Sequence, residues 1–341
     1  MINTRKKILV TGGAGYIGSH TIVELVAAGY DVVSIDNFSN SNPLVFERIE
    51  TITGKRIENI EIDLCDYKKL EEVFQGKTFD AIIHLAAFKS VPDSLKNPLA
   101  YYQNNVDGLL GALLISKLCK TSHFIFSSTC AVYDPETVPP YAEISPIKPG
   151  TPYGMTKLLG EQLLEDYVKN TEGCKAITLR YFNPAGAHPS GLLGENTDKA
   201  PENLVSVVTD AVKTGKPFTV FGDDYATPDG TCVRDYLHVA DVAKAHVSAL
   251  EHLDAATSSF YDVFNIGTGK GISVKEIISA FETENNIKVP YEVGARRAGD
   301  MPIAYADASK AASLLQWVPK YSLADIVKTA WGWELKKNQE R

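Results

Sequence analysis

The sequence predicts an α/β protein in which a doubly wound parallel sheet is followed by a smaller mixed α/β domain. First, residues 7–36 have the pattern of a strand, a glycine-rich loop, a helix and a second strand. Second, short apolar runs alternate with helical segments six times up to residue 183. Third, Gly, Pro, Asn and Asp become frequent from Pro184. We expect a first domain of residues 1–183 joined by about 234–263, and a second of 184–233 and 264–341.

Apolar periodicity places the elements of the first domain. A buried parallel strand is a continuous apolar run, as at residues 79–87, and a proline in the first turn favours a helix from Pro152. The predicted strands are residues 8–10, 31–36, 57–64, 79–87, 123–129 and 175–183. The predicted helices are residues 16–28, 43–53, 98–119 and 152–169. The second part is predicted to contain strands at 218–221 and 261–266, and helices at 204–214, 239–253, 273–285, 309–315 and 322–334.

Composition limits the compartment and the partners. The 341 residues carry a net charge of −8, which argues against nucleic acid or an anionic membrane surface as a partner. No apolar run reaches the roughly 18 residues of a membrane span, and the basic N-terminus lacks the apolar stretch of a signal peptide. The cysteines are odd in number and widely spaced, which predicts buried thiols in a reducing cytoplasm and no metal site: Cys65, Cys119, Cys130, Cys174 and Cys232.

The loop between the first strand and helix contains Gly13-x-Gly15-x-x-Gly18. Such glycines let backbone N–H groups approach a pyrophosphate at the positive end of a helix, the arrangement of the Rossmann fold. Asp36, about twenty residues on, is placed to accept hydrogen bonds from ribose hydroxyls and to repel a 2′-phosphate. No arginine follows at residues 37–40, so NAD is favoured over NADP. The alternatives are a simple tight turn for the glycines and a solvated turn residue for Asp36.

Three further positions point to oxidation and reduction chemistry. Tyr153 and Lys157 are four residues apart and therefore lie on one face of the predicted helix. An ammonium, together with a nicotinamide ring, stabilises a phenolate and lowers the tyrosine pKa from about 10 toward the working range. Thr129 ends the fifth strand, where a hydroxyl hydrogen-bonds the oxygen being oxidised. The alternatives are a chance pair on a solvated face and an ordinary hydroxyl cap.

These motifs resemble the extended short-chain dehydrogenase/reductase family, and within it the UDP-glucose 4-epimerases. The resemblance covers nearly the whole chain through TGGAGYIG, HLAAFKSV, PYGMTK, RYFNPAGAHPSG, DGTCVRDYLHV and RRAGDMP. It implies an NAD-dependent isomerase that interconverts UDP-galactose and UDP-glucose through a transient 4-keto sugar. It also implies a homodimer formed through the helices at 98–119 and 153–169.

The resemblance assigns roles position by position. Tyr153 acts as base and acid, Lys157 holds the nicotinamide ribose, and Thr129 bridges the sugar oxygen and Tyr153. The implied cofactor contacts are Gly12, Gly15, Tyr16, Ile17, Gly18, Asp36, Asn37, Asn40, Ser41, Asp63, Leu64, Leu85, Ala86, Ala87, Lys89, Asn104, Tyr153, Lys157 and Phe182. The implied substrate contacts are Lys89, Thr129, Tyr153, Asn183, Asn203, Leu204, Thr219, Val220, Phe221, Arg234, Tyr236, Arg297, Asp300 and Ala304. For Arg234, a surface ion pair with Asp235 is the alternative.

Departures from the family pattern bear on the sugar. Ala304 stands where members restricted to unacetylated sugars have a bulky tyrosine, which suggests that N-acetylhexosamines are accepted too. A nucleotide-sugar 4,6-dehydratase or decarboxylase is the competing enzyme, but Cys130 and Ala131 occupy the places of the dehydratase acid and base. A non-catalytic NAD-sensing module is the other alternative, although such proteins generally lose the tyrosine or lysine that this chain retains.

Overall fold

The computed structural model of the chain describes residues 5–195, 201–297 and 300–339. Its first elements, in chain order, are β1 (Lys7–Thr11), α1 (Tyr16–Ala27), β2 (Asp31–Ile35), α2 (Leu44–Thr53), β3 (Glu58–Ile60), α3 (Tyr67–Phe74), β4 (Ala81–His84), α4 (Val91–Lys96), α5 (Pro98–Tyr102), a π-helical turn (Gln103–Asp107), α6 (Gly108–Cys119), β5 (His123–Thr129), a 3₁₀ turn (Cys130–Val132), α7 (Pro152–Lys169) and β6 (Lys175–Tyr181).

The remaining elements form the less regular part of the molecule together with one strand of the main sheet. They are β7 (Asn183–Ala185), α8 (Leu204–Thr214), β8 (Phe218–Phe221), β9 (Val233–Arg234), β10 (Tyr236–His238), α9 (Val239–Ala255), β11 (Phe260–Ile266), β12 (Ile272–Ser273), α10 (Val274–Asn285), β13 (Tyr291–Gly294), β14 (Ile303–Ala304), α11 (Ser309–Leu314) and α12 (Leu323–Gln339). No helix among the described residues combines the length and the apolar character needed to cross a bilayer.

The main sheet has seven parallel strands in the order β11-β6-β5-β4-β1-β2-β3. The chain moves outward from β1 in both directions, which confirms the predicted doubly wound α/β class. Strand β11 ends at Ile266, so the sheet takes in three residues beyond the predicted boundary at 263. Helix α9, which precedes β11, packs against α1.

Both faces of the sheet are buried. Ile8 and Val10 of β1 face one apolar cluster, and Leu9 faces the other. Side chains alternate along a strand, so a strand covered on both faces must be apolar at every position, which explains the continuous apolar runs. A third cluster joins α8, α10 and α12 in the C-terminal part.

Four predicted strands are shorter in the structure. The strand at 31–36 ends at Ile35 and the strand at 175–183 ends at Tyr181, and two others lose more residues. The apolar run at 79–87 pairs only over Ala81–His84, and the run at 57–64 only over Glu58–Ile60. Periodicity identifies apolar character but not where a ladder ends. The residues that leave the ladder, 61–64 and 85–87, turn into the carboxyl edge of the sheet.

Two helical glycines provide a test of how closely the helices pack. A methyl group at Gly111 of α6 would collide with the Leu64 carbonyl oxygen, whereas one at Gly332 of α12 would meet open space. Both substitutions to alanine gain the same helix propensity of about 1 kcal/mol. We expect G111A to lower the free energy of unfolding by about 1–3 kcal/mol through overpacking. We expect G332A to leave the free energy of unfolding unchanged or to raise it slightly. Urea denaturation of the two variants measures the difference, and equal effects of G111A and G332A would contradict the packing argument.

Candidate active site

A cleft runs along the carboxyl ends of β1, β2 and β4, where ligands of open parallel sheets bind. Of the predicted cofactor residues, those that line it are Gly12, Gly15, Asp36, Asn37, Asn40, Ser41, Asp63, Leu64, Leu85, Ala86, Ala87 and Asn104. The sequence analysis missed several others that line the same cleft, namely Ile35, Ser39, Ile62, Cys65, Phe88 and Gly108. Four of them, Ile35, Ser39, Ile62 and Phe88, directly precede a predicted residue, so adjacency along the chain was the signal that could have identified them.

The glycine loop brings two backbone segments into direct contact. Gly12 has a φ of +72°, and its N–H donates to the Ile35 carbonyl at 2.7 Å. A Cβ at Gly12 would lie 2.8 Å from the Ala86 nitrogen, and a Cβ at Gly18 would collide with the Gly12 carbonyl oxygen. The tight turn therefore belongs to Gly12, one residue before the first glycine of the predicted motif. A Cβ at Gly13 would meet the Ser34 side chain, so Gly13 serves the packing of the loop on β2.

Asp36 organises the second side of the cleft. Its Oδ2 accepts from the Ala14 N–H at 2.9 Å, and its Oδ1 accepts from the Phe38 N–H at 2.9 Å and from the Ser41 Oγ at 2.8 Å. Asp36 therefore joins the glycine loop to the segment after β2 and is not a freely solvated turn residue. The glycine loop lets a ligand come close to the backbone at the N-terminus of α1, and the ordered Asp36 carboxylate lies beside this loop. The arrangement fits a dinucleotide, with the pyrophosphate on the loop and a ribose at Asp36.

Asn105 ties the cleft to the helix that carries the predicted catalytic pair, and the sequence analysis missed it. Its amide accepts from the Phe88 N–H at 2.8 Å and donates to the Phe88 carbonyl and to the Thr156 Oγ1, both at 3.0 Å. Asn105 lies in the π-helical turn that interrupts the predicted 98–119 helix, and such turns are frequent at functional sites. Neighbouring Asn104 donates to the Asn105 Oδ1 at 2.9 Å and faces the cleft.

Lys89 lies just outside this cleft. It forms an ion pair with Glu195, whose carboxylate also accepts from the Asn203 Nδ2 at 2.7 and 2.9 Å and from the Ser206 Oγ at 2.6 Å. The charge of Lys89 and these hydrogen bonds hold the pKa of Glu195 below its ordinary value against the opposing effect of burial. A predicted cofactor residue and a predicted substrate residue thus share one carboxylate that sequence reasoning did not find.

The predicted catalytic residues meet where β5 ends and α7 begins. Burial raises the pKa of Tyr153 to about 12, and the hydrogen bond from Thr129 acts in the opposite direction. The Lys157 ammonium donates to the Ser127 carbonyl at 2.7 Å and lies over the Phe126 ring. In the protein alone burial therefore moves the pKa of Tyr153 up, opposite to the direction expected from the sequence for a tyrosine beside an ammonium and a nicotinamide ring.

The two predicted diphosphate arginines converge on one carboxylate. Asp300 accepts from the Arg297 Nε at 3.1 Å, from the Arg297 Nη2 at 2.9 Å and from the Arg234 Nη2 at 3.4 Å. The alternative of an Arg234 pair with Asp235 is wrong. Asp235 is fully buried and accepts instead from the backbone N–H groups of Thr268, Gly269 and Ala306.

The other predicted substrate residues surround this cluster. The Arg297 guanidinium lies 5.4 Å from the Phe221 ring centroid, and Ala304 pairs with Arg234 in the β9–β14 ladder. Burial raises the pKa of Tyr236 to about 12, with the charge of Arg234 acting against it. Thr219 donates to Glu292 at 3.4 Å, and Val220 is buried in the third apolar cluster. Asn183 and Leu204 begin β7 and α8, and the predicted cofactor residue Phe182 lies between β6 and β7.

Cys130 begins the 3₁₀ turn that directly follows Thr129. Burial raises the pKa of its thiol to about 12, while the Arg234 charge lowers it. Cys130 in turn contributes to the raised pKa of Tyr153, so its thiol interacts electrostatically with both Arg234 and Tyr153. Among the described residues, no group of three or more His, Cys, Asp or Glu is placed to hold a metal ion.

The sheet, glycine loop, ordered acidic residue and Tyr-Lys pair define a dinucleotide-binding protein of the short-chain dehydrogenase/reductase type. Residues 8–267 match the model of the NAD dependent epimerase/dehydratase family, and the chain belongs to this family. The UDP-glucose 4-epimerase of Dictyostelium discoideum is 44% identical over 330 residues, covering 96% of this chain and 95% of that protein.

Solved structures agree with the sequence relatives. A UDP-glucose 4-epimerase from Stenotrophomonas maltophila with bound NAD and formylated UDP-arabinopyranose has a TM-score of 0.95 at 41% identity, covering 99% of this chain and all of that chain. The Bifidobacterium longum enzyme, in complex with NAD+ and UDP, has a TM-score of 0.91 at 42% identity, covering 98% of this chain and all of that chain.

The two ends of β2 provide a matched test of the cofactor side. We expect D36A to weaken NAD binding by about tenfold or more, because it removes a charged hydrogen-bond acceptor, and to reduce the preference for NAD over NADP. Asp31, exposed at the opposite end of the strand, serves as the control, and D31A is expected to bind NAD as the wild type does. Isothermal titration with both dinucleotides measures the effect, and equal affinities of the two variants would contradict the assignment.

Proposed function

We propose that the protein is an NAD-dependent 4-epimerase that interconverts UDP-galactose and UDP-glucose through a transient 4-keto sugar. The observation that carries the proposal is the combination of a Tyr153–Lys157 pair, in which Lys157 donates to the end of β5, with two arginines that share the Asp300 carboxylate. A proton acceptor beside a diphosphate-binding cluster is what an enzyme needs to oxidise a sugar hydroxyl while it holds the nucleotide. The epimerase relatives and the NAD-bound structures support the same activity.

The side chains divide the work. Arg234 and Arg297 bind the diphosphate, for which paired guanidinium groups are suited, and Asp300 is freed to accept a ribose hydroxyl. Tyr153, as the phenolate, takes the proton of the sugar 4-hydroxyl and becomes the neutral phenol. Thr129 orients that hydroxyl, and Lys157 stabilises the phenolate before the transfer. NAD, when bound in the cleft along the glycine loop, supplies the acceptor and donor of the hydride. The nucleotide end must be anchored tightly and the sugar loosely, so that the keto sugar presents its opposite face before it is reduced.

Elimination chemistry is disfavoured by the residues that follow Thr129. A dehydratase requires an acid and a base at the two positions after Thr129. Burial raises the pKa of the Cys130 thiol to about 12, so this thiol does not act as a base near neutral pH. Ala131 has no titratable group. These positions therefore do not support the loss of water that the competing reaction needs.

The proposal includes a homodimer, a cytoplasmic location and two functional domains. Three leucines on α4, α5 and α6 are exposed, Leu95 at 60%, Leu99 at 76% and Leu110 at 39%, and they supply apolar surface for a second copy. All five cysteines are free, which fits a reducing compartment. The prediction that all of them are buried is wrong, because Cys65 is exposed and Cys130 is half-buried. The net charge of −8 supports neither nucleic acid nor membrane as a partner. The seven-stranded sheet is assigned to NAD, and the C-terminal part to the UDP-sugar.

The first experiment incubates the purified protein with UDP-galactose, without added NAD, and follows the appearance of UDP-glucose by NMR. Conversion is expected, because NAD is regenerated in each turnover and can remain bound. A failure to convert, even with NAD supplied, would overturn the proposed activity. A dehydrated or decarboxylated product, detected by mass spectrometry, would replace it with the competing reaction.

Two tyrosines on α7 provide a matched test of whether Tyr153 has a catalytic or only a structural role. We expect Y153F to lower kcat by about 10²–10⁴-fold while NAD binding is retained, because the variant loses the proton acceptor but keeps the ring. Tyr167 lies on the same helix and contacts Ser116 at 3.4 Å. Y167F is therefore the control and is expected to retain the wild-type kcat. Comparable kcat values for the two variants would exclude Tyr153 as the base.

The sugar specificity is assigned to Ala304. We propose that its small side chain leaves room for a 2-acetamido group, so that UDP-GlcNAc is turned over as well as UDP-galactose. A304Y is expected to lower kcat/KM for UDP-GlcNAc at least tenfold relative to UDP-galactose, since one misplaced bulky group costs about 1.4 kcal/mol or more. Ile303 precedes it on β14 and points to the opposite face, which makes I303Y the control. Absence of UDP-GlcNAc turnover by the wild type would contradict the assignment.

A further inference from the structure

Glu161 is a buried carboxylate that the proposed reaction leaves unused. It lies one helical turn after Lys157 on α7 and is only 4% exposed. Its Oε1 accepts from the Ser128 Oγ at 2.5 Å and from the Arg180 Nε at 2.9 Å, and its Oε2 accepts from the Arg180 Nη2 at 2.6 Å. Both ion-pair side chains are 6% exposed, and a buried pair of this kind is seldom retained for stability alone.

Lys157 requires a compensating charge. The residue is 3% exposed, and the contacts of its ammonium are the Ser127 carbonyl and the face of the Phe126 ring, neither of which carries a full charge. Burial lowers the pKa of Lys157 to about 7, and the charge of Glu161 acts in the opposite direction. A lysine that loses its proton near neutral pH could no longer support a phenolate at Tyr153.

Few of the groups around Lys157 and Glu161 are ionised at neutral pH. Among the described residues, the titratable groups on the surrounding elements include His84 on β4, Arg180 and Tyr181 on β6, Tyr261 on β11, Tyr153 and Glu165 on α7, and Tyr133, which accepts from Arg180. His123, Lys175, Asp262, Asp166, Tyr167 and Lys169 lie farther along β5, β6, β11 and α7. Burial lowers the pKa of His84 to about 3 and raises the pKa of Tyr153 to about 12, so both are neutral. Glu165 is exposed and pairs with Lys169. The buried negative charge is therefore that of Glu161.

We infer that Glu161, held by Ser128 and Arg180, is a positioning residue whose buried negative charge maintains the Lys157 ammonium that the reaction requires. This inference rests on the proposed function. Glu161 touches neither the sugar nor the nucleotide in this assignment, and it acts through Lys157 on the proton-accepting tyrosine. Its bond to Ser128 places it against β5 beside Thr129, so the same carboxylate also holds the strand end in register with α7.

The direct test is a titration of Lys157 in the protein without added substrate. The protein is labelled with ¹³Cε-lysine, and the Lys157 signal is identified by its loss in K157M. In E161Q we expect the titration midpoint of Lys157 to fall by about one pH unit relative to the wild type. In E165Q, the exposed control on the same helix, the midpoint is expected to stay in place. An unchanged midpoint in E161Q would overturn the inference, whether or not the protein proves to be an epimerase.

The kinetic test follows UDP-galactose conversion across pH. Lys157 must be protonated, so a lower pKa removes activity at a lower pH, and the alkaline limb of kcat in E161Q is expected to move about one unit toward acid. At a pH above the wild-type limb, kcat should fall about tenfold, while KM changes by less than about twofold. A purely structural role would instead lower activity by the same factor at every pH, and that result would contradict the inference. An inactive wild type would refute the proposed function instead.

A second variant controls for the loss of stability that is expected in E161Q. E161Q leaves Arg180 buried and unpaired, which is destabilising, whereas E161Q/R180Q removes both charges and restores a neutral pair. We expect the double variant to fold more stably than E161Q. The Lys157 midpoint and the alkaline limb of kcat should still be displaced toward acid, but by a smaller amount than in E161Q, because the positive charge of Arg180 is lost together with the negative charge of Glu161. A double variant with the wild-type midpoint and limb would overturn the inference.

Discussion

The buried ion pair between Glu161 and Arg180 connects the parts of the molecule that the proposed reaction requires. Glu161 lies on α7 and is bonded to Ser128 of β5, so the helix with Tyr153 and Lys157 is fixed against the strand that ends at Thr129. From Arg180 the hydrogen bonds continue through the Tyr133 hydroxyl at 3.0 Å to the Asn265 Oδ1 at 2.6 Å. Because the polar side chains of this network have partners within it, the network defines one register for the elements it joins.

The cleft depends on a second constraint, the close approach of backbone segments at the carboxyl edge of the sheet. The chain after β4 passes so near the glycine loop that position 12 admits no side chain. The loop is thereby held between β2 and β4, with Asp36 bonded to its Ala14 N–H. A negatively charged ligand at this edge meets the backbone N–H groups of the first turn of α1, whereas the Asp36 carboxylate lies on the β2 side of the loop. This arrangement suits a pyrophosphate on the loop next to a ribose at Asp36.

The net charge of the protein is negative, but two arginines are concentrated at the candidate substrate site. The chain is acidic, yet Arg234 and Arg297 are concentrated at one point and are balanced in the protein alone by Asp300. Desolvating the largely buried Arg234 without a partner would be costly, and the Asp300 carboxylate supplies that partner before a diphosphate binds. The diphosphate then competes for the same donors. The same principle operates at Lys89, which pairs with Glu195 beside the cleft.

The sequence by itself determined the α/β class, most of the elements and the edge at which the cleft lies. Local patterns carry these features: apolar runs on strands buried on both faces, a glycine loop before a helix, and polar residues that directly follow strands. It did not determine where β3 and β4 end, that Gly12 makes the turn, or that Arg234 pairs with Asp300 and not with Asp235. It also gave no indication of Asn105, Glu195 or the partnership of Glu161 with Arg180. These features depend on residues distant in the chain, whose contacts and burial only tertiary packing decides, and burial is what sets the charge state of Tyr153 and Lys157.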